Sequence, residues 1–315
     1  MSRGSRLVGV LLMALAFALA ASAAGAGSHG TSKGKGQAQE RVFTLQPDPA
    51  GNPEGIAYQP RTRSFFVSIT ADGAIYRGTL GSDTVAPFIP GAAGQSGVGI
   101  KVRGNSLYVA GGMTGTITVY DLSTKQAIAT FQTGAGGFLN DLVVTRDGDV
   151  WVTDSFRPTL WHVTGKQVRA GSGTPQAIDV SAAFGTTPGE FHANGIVALN
   201  SHRFVVVDTT TGTLQRIDVR HGAATIRAIT GVTLPGGDGM ILDRGRLVVV
   251  QGSPPQLSFV KLTRSARQGS SLATRTSTNL VGPSTVARAR KLYLVVNADF
   301  ALSKSPPFTV AGLPR

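Results

Sequence analysis

Four short stretches of the chain place an oxygen-bearing side chain at the same point, just before a β-rich segment. The clearest is the stretch 234–242, in which Asp238 stands between glycines immediately ahead of an apolar run. Glycines let the backbone approach a partner closely and leave the carboxylate unscreened. Carboxylate and amide oxygens are the ligands of hard cations such as Ca²⁺, which accepts about 6–8 of them. The four oxygen-bearing residues are Glu54, Asn140, Asn194 and Asp238.

Each of these residues alone also suits an ordinary turn, since Asn-Gly and Asp-Gly are common turn dipeptides. Their recurrence in register favours one shared site. Zinc and copper prefer nitrogen and sulfur ligands, but the chain has no cysteine and its 5 histidines show no ligand spacing. We expect His192, two residues before Asn194, to lie near the site and to contact substrate or carry protons; a simple loop role is the alternative.

Internal repeats predict the fold. Equivalent positions recur about every 45 residues, a period typical of propeller blades with four strands. We therefore predict an all-β fold, a six-bladed β-propeller over residues 41–315. The last unit lacks an outer strand, and Arg41–Leu45 can supply it, which closes the ring and removes free sheet edges. No amphipathic helix is expected. A two-sandwich protein is the rival fold, but it does not explain the recurring loop. The repeat markers are Glu54, Val98, Asn140, Asn194, Asp238 and Pro283.

Composition agrees with many short strands and turns. The 315 residues include 41 glycines and 16 prolines, and only 15% of them are charged. The formal net charge is +13, which predicts at most a weak attraction to an anionic cell envelope. Basic and aromatic residues are not interleaved as in nucleic-acid binders, so we expect no nucleic-acid partner. We expect a monomer.

The N-terminus predicts export. Arg3 and Arg6 precede the apolar run Leu7–Ala20, and Ala21–Ala23 offers a small-residue cleavage site. We assign residues 1–24 to a signal peptide and 25–40 to a flexible Gly/Ser/Lys linker. The mature protein is therefore expected to be secreted or extracytoplasmic, in the periplasm or cell envelope.

Taken in order, the motifs resemble the senescence marker protein/gluconolactonase family of regucalcin-like six-bladed propellers, from about Glu40 to the C-terminus. The resemblance implies a Ca²⁺-type ion bound by Glu54, Asn194 and Asp238, with Asn140 as a further ligand or substrate contact. It also implies lactone hydrolysis with Asp238 as general base. The matching motifs are Pro53-Glu54-Gly55, Asn140-Asp141, Asn194-Gly195-Ile196 and Asp238-Gly239-Met240.

One position departs from the family pattern. Sugar-lactone enzymes carry an arginine two residues before the asparagine, where this chain has Phe138. Without that bidentate cation, Phe138 predicts contact with a more apolar ligand, or with none. The sequence thus predicts an exported metal-dependent hydrolase of small-molecule lactones or esters. The alternative is a non-catalytic extracellular or envelope propeller that binds partners and keeps a structural ion.

Overall fold

The computed structural model describes residues 39–185, 190–300 and 307–315. The predicted signal peptide, His29 and all but the last two residues of the predicted linker lie outside these ranges. Strands dominate the described residues, as expected for a propeller. None of the helices found there is long and apolar enough to cross a membrane.

Each of the four middle repeat units forms its own four-stranded antiparallel sheet. In every case the strands pair in chain order, so the first strand lies at one edge and the last at the other. The second unit comprises β6 to β9 and the third β10 to β13; the fourth comprises β14 to β17 and the fifth β18 to β21. The strands of the second unit are Ile100–Arg103, Ser106–Ala110, Thr116–Asp121 and Ala127–Gln132, and those of the third are Leu139–Val144, Val150–Asp154, Thr159–Val163 and Gln176–Asp179. The strands of the fourth unit are Ala193–Asn200, Arg203–Asp208, Leu214–Arg220 and Ala223–Ile229, and those of the fifth are Gly237–Asp243, Arg246–Gly252, Pro255–Leu262 and Gly269–Arg275.

The first and sixth units are joined by the N-terminal strand β1, Arg41–Leu45, into an eight-stranded sheet. β1 runs antiparallel to β24, with Phe43 opposite Val310, as the sequence predicts. It also runs parallel to β5, a contact that the sequence analysis does not anticipate. In the first unit, strands β2 to β5 are Pro53–Gln59, Ser64–Ile69, Ile75–Thr79 and Thr84–Ile89. In the sixth unit, strands β22 to β24 are Pro283–Ala289, Leu292–Asn297 and Thr309–Pro314.

The described residues include one short helix that the sequence pattern does not predict, and it is not amphipathic. Gly165–Ala170 forms a short helix, α1, between β12 and β13. Thr164 and Gln167 form a reciprocal capping box at its start, and Gly171 ends it in the left-handed conformation. Six residues are too few to show the apolar periodicity on which the expectation rests, so end-capping rather than an amphipathic stripe determines this helix.

The sheets pack face to face, and the second strand of each unit is buried on both sides. For example, Val248 and neighbouring Val249 contribute to different hydrophobic clusters and are both fully buried. This explains why these strands are continuous apolar runs rather than alternating ones. Sheet-on-sheet packing of this kind places the first strands of the units together at the centre.

The six first strands lie side by side: β2 contacts β6, the contacts continue through β10, β14 and β18, and β22 contacts β2. Glycines make this approach possible. A Cβ on Gly55 would lie 2.2 Å from the carbonyl oxygen of Val98, and one on Gly195 would lie 2.2 Å from that of Asp238. Ser284 Oγ donates to the carbonyl of Glu54 at 2.8 Å and joins the last unit to the first. The repeat markers are thereby brought around one axis.

At the far end of β18, Asp243 links the fifth and sixth units. Its side chain has no exposed surface, and its carboxylate pairs with the guanidinium of Arg315. Arg315 Nε donates to it at 2.6 Å and Tyr293 Oη at 2.7 Å. Burial alone raises the pKa of Asp243, but Arg315 and Tyr293 outweigh it and bring the pKa down to about 2.

This ion pair predicts a pH dependence of stability. Because the pKa of Asp243 is below its unfolded value, the stabilisation is complete above about pH 4 and is lost as the pH falls toward 2. Asp243→Asn should lower the free energy of unfolding by about 2 kcal/mol at neutral pH. Urea unfolding of the wild type and of Asp243→Asn between pH 7 and pH 3 should show that their difference in free energy of unfolding shrinks below pH 4. A difference that does not depend on pH would contradict a stabilising ion pair at Asp243.

Candidate metal centre

Four side-chain oxygens near the propeller axis are buried and have no hydrogen-bond partner within the protein. Three of the residues that carry them are 4–6% exposed, whereas Asp238 is half-buried. Buried polar atoms are nearly always paired, and each exception requires an explanation. These atoms belong to the four residues that the sequence places in register. They are Glu54 Oε2, Asn140 Oδ1, Asn194 Oδ1 and Asp238 Oδ1.

Hydrogen bonds fix the orientation of the Asn140 side chain. Its Nδ2 donates to Ser155 Oγ at 2.9 Å, and Ser155 Oγ donates in turn to the carbonyl of Ala193 at 2.7 Å. The amide nitrogen is therefore engaged by the protein while the amide oxygen is left without a partner. This arrangement presents an acceptor, rather than a donor, to whatever occupies the axis.

The backbone of the other two buried ligand candidates is anchored by hydroxyl groups from neighbouring sheets. Thr153 Oγ1 donates to the carbonyl of Asn194 at 2.7 Å, as Ser284 does to that of Glu54. Thr285 Oγ1 also lies 3.5 Å from Glu54 Oε1. The sequence analysis misses these hydroxyl residues, because serine and threonine are common in any strand-rich chain and carry no distinguishing signal there.

Both carboxyl groups of the set have raised pKa values. For Glu54, burial is the largest cause, followed by the negative charges of Asp238 and Asp141, and the pKa lies well above its ordinary value. For Asp238, burial and then the charge of Asp141 raise the pKa to about 7, although the Asn194 amide and a backbone N–H oppose this. Carboxylates crowded in this way have a strong electrostatic preference for a cation among them.

Asp141 and Lys101 are the charged neighbours that the sequence analysis leaves without a role. Lys101 Nζ lies 2.5 Å from Asp141 Oδ1, and the Asp141 side chain is only 3% exposed. A sequence signal for Asp141 does exist: it occupies the position after the marker, where four other units have glycine. Nothing in the local sequence connects it with Lys101, which lies in the preceding unit.

Phe138 lies in a cluster of three half-buried aromatic rings beside the amide ligand candidates. Its ring centroid is 5.1 Å from that of Phe191 and 5.6 Å from that of Phe156, and these two are 4.7 Å apart. Phe138 and Val98 both border Gly112. A Cβ on Gly112 would lie 3.5 Å from the side chain of Phe138 and 3.0 Å from that of Val98. Phe156 directly follows Ser155, which contacts Asn140. The structure thus places an apolar surface close to Asn140.

His192 is buried beside this cluster, and its ring faces other partners. Its Nδ1 lies 3.1 Å from Asp208 Oδ2 and its Nε2 lies 3.3 Å from Glu190 Oε2. A Cβ on Gly185 would lie 2.5 Å from the same Nε2. Its Nε2 is buried without a hydrogen-bond partner among the described residues, and its substrate or proton-transfer role stays a prediction.

The donor set determines which cation would fit. Among the residues that the structure describes, no three His, Cys, Asp or Glu side chains group as metal ligands. A centre that uses the four unpaired oxygens would combine two amides with two carboxylates. Such an all-oxygen set suits hard divalent cations and not zinc or copper.

Comparison with known proteins yields similarity of fold. No protein-family model matches the sequence, and no curated protein matches it. Solved structures do match, and they include a gluconolactonase from Xanthomonas campestris with 18% identity and a TM-score of 0.61, covering 88% of this chain and 90% of that one. The calcium-binding protein regucalcin from Agrobacterium tumefaciens matches with 16% identity and a TM-score of 0.60, covering 84% and 92%.

The same fold is shared with proteins of other kinds. The WD40 repeats of RRP9 match with 11% identity and a TM-score of 0.61, covering 87% of this chain and 98% of that one. Equal similarity to an enzyme and to a repeat domain means that overall shape does not select a function. The expected resemblance to gluconolactonase and regucalcin propellers is confirmed as a resemblance of structure: this chain has the all-β propeller fold that those proteins share.

Proposed function

We propose that this chain is a metal-dependent hydrolase of lactones or esters, with its centre on the propeller axis. The observation that carries the proposal is the group of four buried, unpaired oxygens contributed by four different repeat units. Turn residues would satisfy their side chains locally, whereas these side chains leave one oxygen each without a partner. A common ligand explains all four at once.

The residues that would bind the ion are Glu54, Asn194 and Asp238, with Asn140 as a fourth ligand or a substrate contact. Ca²⁺ is the ion we propose, because it accepts mixed carboxylate and amide oxygens in flexible geometry. The similarity to regucalcin, described as a calcium-binding protein, supports this choice. The gluconolactonase similarity supports the reaction class.

Hydrolysis adds one water across the acyl–oxygen bond, with hydroxyl to the acyl carbon and a proton to the departing oxygen. When bound, a divalent ion would polarise the carbonyl and stabilise negative charge on its oxygen. Asp238 is the most exposed residue of the set, although its Oδ1 is buried. We assign it the role of general base that takes a proton from that water. Asn140, oriented by Ser155, would position the substrate or complete the ligand set.

The aromatic cluster indicates an apolar substrate. The guanidinium of Arg157, which directly follows Phe156, is already engaged: Nε donates to Asp154 at 2.6 Å and Nη1 to the carbonyl of Thr133 at 3.1 Å. That side chain therefore contributes to the fold and offers little to a carboxylate or phosphate of a substrate. Rings of Phe138, Phe156 and Phe191 would instead bury alkyl or aryl groups.

We further infer that the propeller has six blades and that the protein is exported as a monomer. The contact of β22 with β2 supports a ring of six first strands, and division of the eight-stranded sheet between β1 and β5 gives every blade four strands. The N-terminal pattern of residues 1–24 supports export.

The metal assignment predicts stabilisation by calcium. A ligand that binds only the folded state stabilises it by about 2.7 kcal/mol at a hundredfold excess over Kd. Adding Ca²⁺ to chelated protein should therefore raise the Tm by several degrees. Asp238→Ala and Asn194→Ala should each remove most of this response, while Asp179→Ala, which alters an exposed carboxylate on an outer strand, should retain it. An unchanged Tm, together with no metal in the purified protein, would show that the oxygens bind no ion.

The catalytic assignment predicts a selective effect of Asp238→Asn. This change keeps an oxygen ligand but removes the proton acceptor, so kcat should fall by about 10²–10⁴ while calcium binding weakens far less. Lactone and aryl-ester hydrolysis, measured at saturating Ca²⁺, checks the rate, and calorimetric titration checks the binding. If the variant keeps full kcat, Asp238 is not the base. If the wild type binds calcium but hydrolyses nothing, the protein is a binding module.

The substrate assignment predicts a preference that one substitution can reverse. Phe138→Arg places a charge against apolar surface, so kcat/KM for aryl and alkyl lactones should fall by roughly tenfold or more. Phe138→Leu keeps the surface apolar and should stay within a few-fold of the wild type. Kinetics on an aryl lactone and a sugar lactone, run side by side, distinguish the cases. Equal kcat/KM values in wild type and the arginine variant would place the substrate elsewhere.

A further inference from the structure

The ion pair between Lys101 and Asp141 is built into the central ring of strands. Lys101 lies on β6 and Asp141 on β10, directly after Asn140, and their charged atoms are 2.5 Å apart. Asp141 Oδ1 also accepts the backbone N–H of Leu142 at 2.8 Å. The lysine side chain is 21% exposed and the aspartate 3% exposed, so neither charge is an ordinary surface charge.

Asp141 fits where other units require glycine because its neighbour provides the space. A Cβ on Gly99 would lie 2.8 Å from Asp141 Oδ1 and 2.7 Å from its Cα. The carboxylate therefore lies against the bare backbone of β6, two residues before Lys101. An isolated buried carboxylate is strongly destabilising unless a cation pairs with it, and Lys101 supplies that cation.

The pair also lies beside the candidate ligands. Asp141 directly follows Asn140, and its Oδ2 accepts the backbone N–H of Ile196, two residues after Asn194, at 3.4 Å. The pair and the two candidate carboxylates, Glu54 and Asp238, therefore share one electrostatic environment. When ionised, the three carboxylates and the ammonium sum to two negative charges, and one divalent cation neutralises them.

We propose that Lys101 is a built-in counter-charge that sets the valence of the cation at this centre, favouring divalent over trivalent ions. Without Lys101 the same group of side chains would carry three uncompensated negative charges and would favour a trivalent ion. The inference rests on the proposed metal function and adds a selectivity residue that does not itself contact the ion. The alternative is that the pair only stabilises the fold.

Charge-altering variants separate these two roles. Lys101→Met keeps a chain of similar length and leaves three negative charges; Asp141→Asn leaves one; the double variant returns to two. The probes are Ca²⁺ and Tb³⁺, titrated by calorimetry into chelated full-length protein. Lys261→Met, on an exposed position of β20, has the same change in charge away from the axis and serves as the control.

We expect Lys101→Met to raise the ratio of Tb³⁺ to Ca²⁺ affinity by roughly tenfold or more. Asp141→Asn should weaken both ions and lower that ratio, and the double variant should return it to near the wild-type value. Two further variants test the proposal if Lys101→Met folds poorly. The double variant leaves no Asp141 carboxylate without its cation, and Lys101→Arg keeps the positive charge. Both should retain the wild-type ratio of Tb³⁺ to Ca²⁺ affinity.

Different failures have different meanings. Suppose that the wild type binds Ca²⁺ but Lys101→Met leaves the ratio of Tb³⁺ to Ca²⁺ affinity unchanged, or that the double variant changes this ratio as much as Lys101→Met does. Either result overturns the counter-charge proposal and leaves the metal centre intact. If the wild type binds neither cation, the metal centre is overturned together with everything that rests on it.

Discussion

The architecture depends on how closely the first strands of neighbouring units approach each other. Four glycines, one after each of four markers, allow a first strand to lie against the backbone of the next; at Gly55 and Gly195 a Cβ would collide at 2.2 Å. The hydroxyl groups of Ser284 and Thr153 then bind the carbonyls of Glu54 and Asn194 from the neighbouring unit. The ligand candidates lie on strands of this ring and not on independent loops, and placing a site on regular elements is what favours its preorganisation.

Electrostatics makes the same ring a source of instability. Glu54, Asp141 and Asp238 are crowded in a region of low exposure, and their mutual repulsion adds to the cost of burial. A fold selected for stability alone would place apolar residues at these positions. Local conflicts with the rest of a well-packed structure are typical of functional sites. The well-paired Asp243, at the other end of the same strand as Asp238, shows that this protein buries a carboxylate favourably where no ligand is needed.

Much of this could be predicted from the sequence, because repetition carries the information. The period of the markers predicts the propeller, and the missing outer strand of the last unit predicts the pairing of Arg41–Leu45 with β24. Residue type within the repeat identifies the four oxygens, although their roles stay predictions. Contacts that follow no repeat could not be found this way: Lys101 with Asp141, Phe138 with Phe156 and Phe191, and Arg315 with Asp243. The short helix α1 was missed because end-capping leaves no apolar periodicity.

The two partners of β1 differ greatly in when they exist during synthesis. Leu45 lies opposite Val85, which emerges from the ribosome soon after it, whereas Phe43 lies opposite Val310 near the end of the chain. Pairing with β24 has the high sequence separation that makes a contact slow to form. The parallel contact with β5 can therefore form early, and it covers the outer edge of the first sheet while the other units are still being made. Docking of β24 onto an already positioned β1 would then be the last step of assembly.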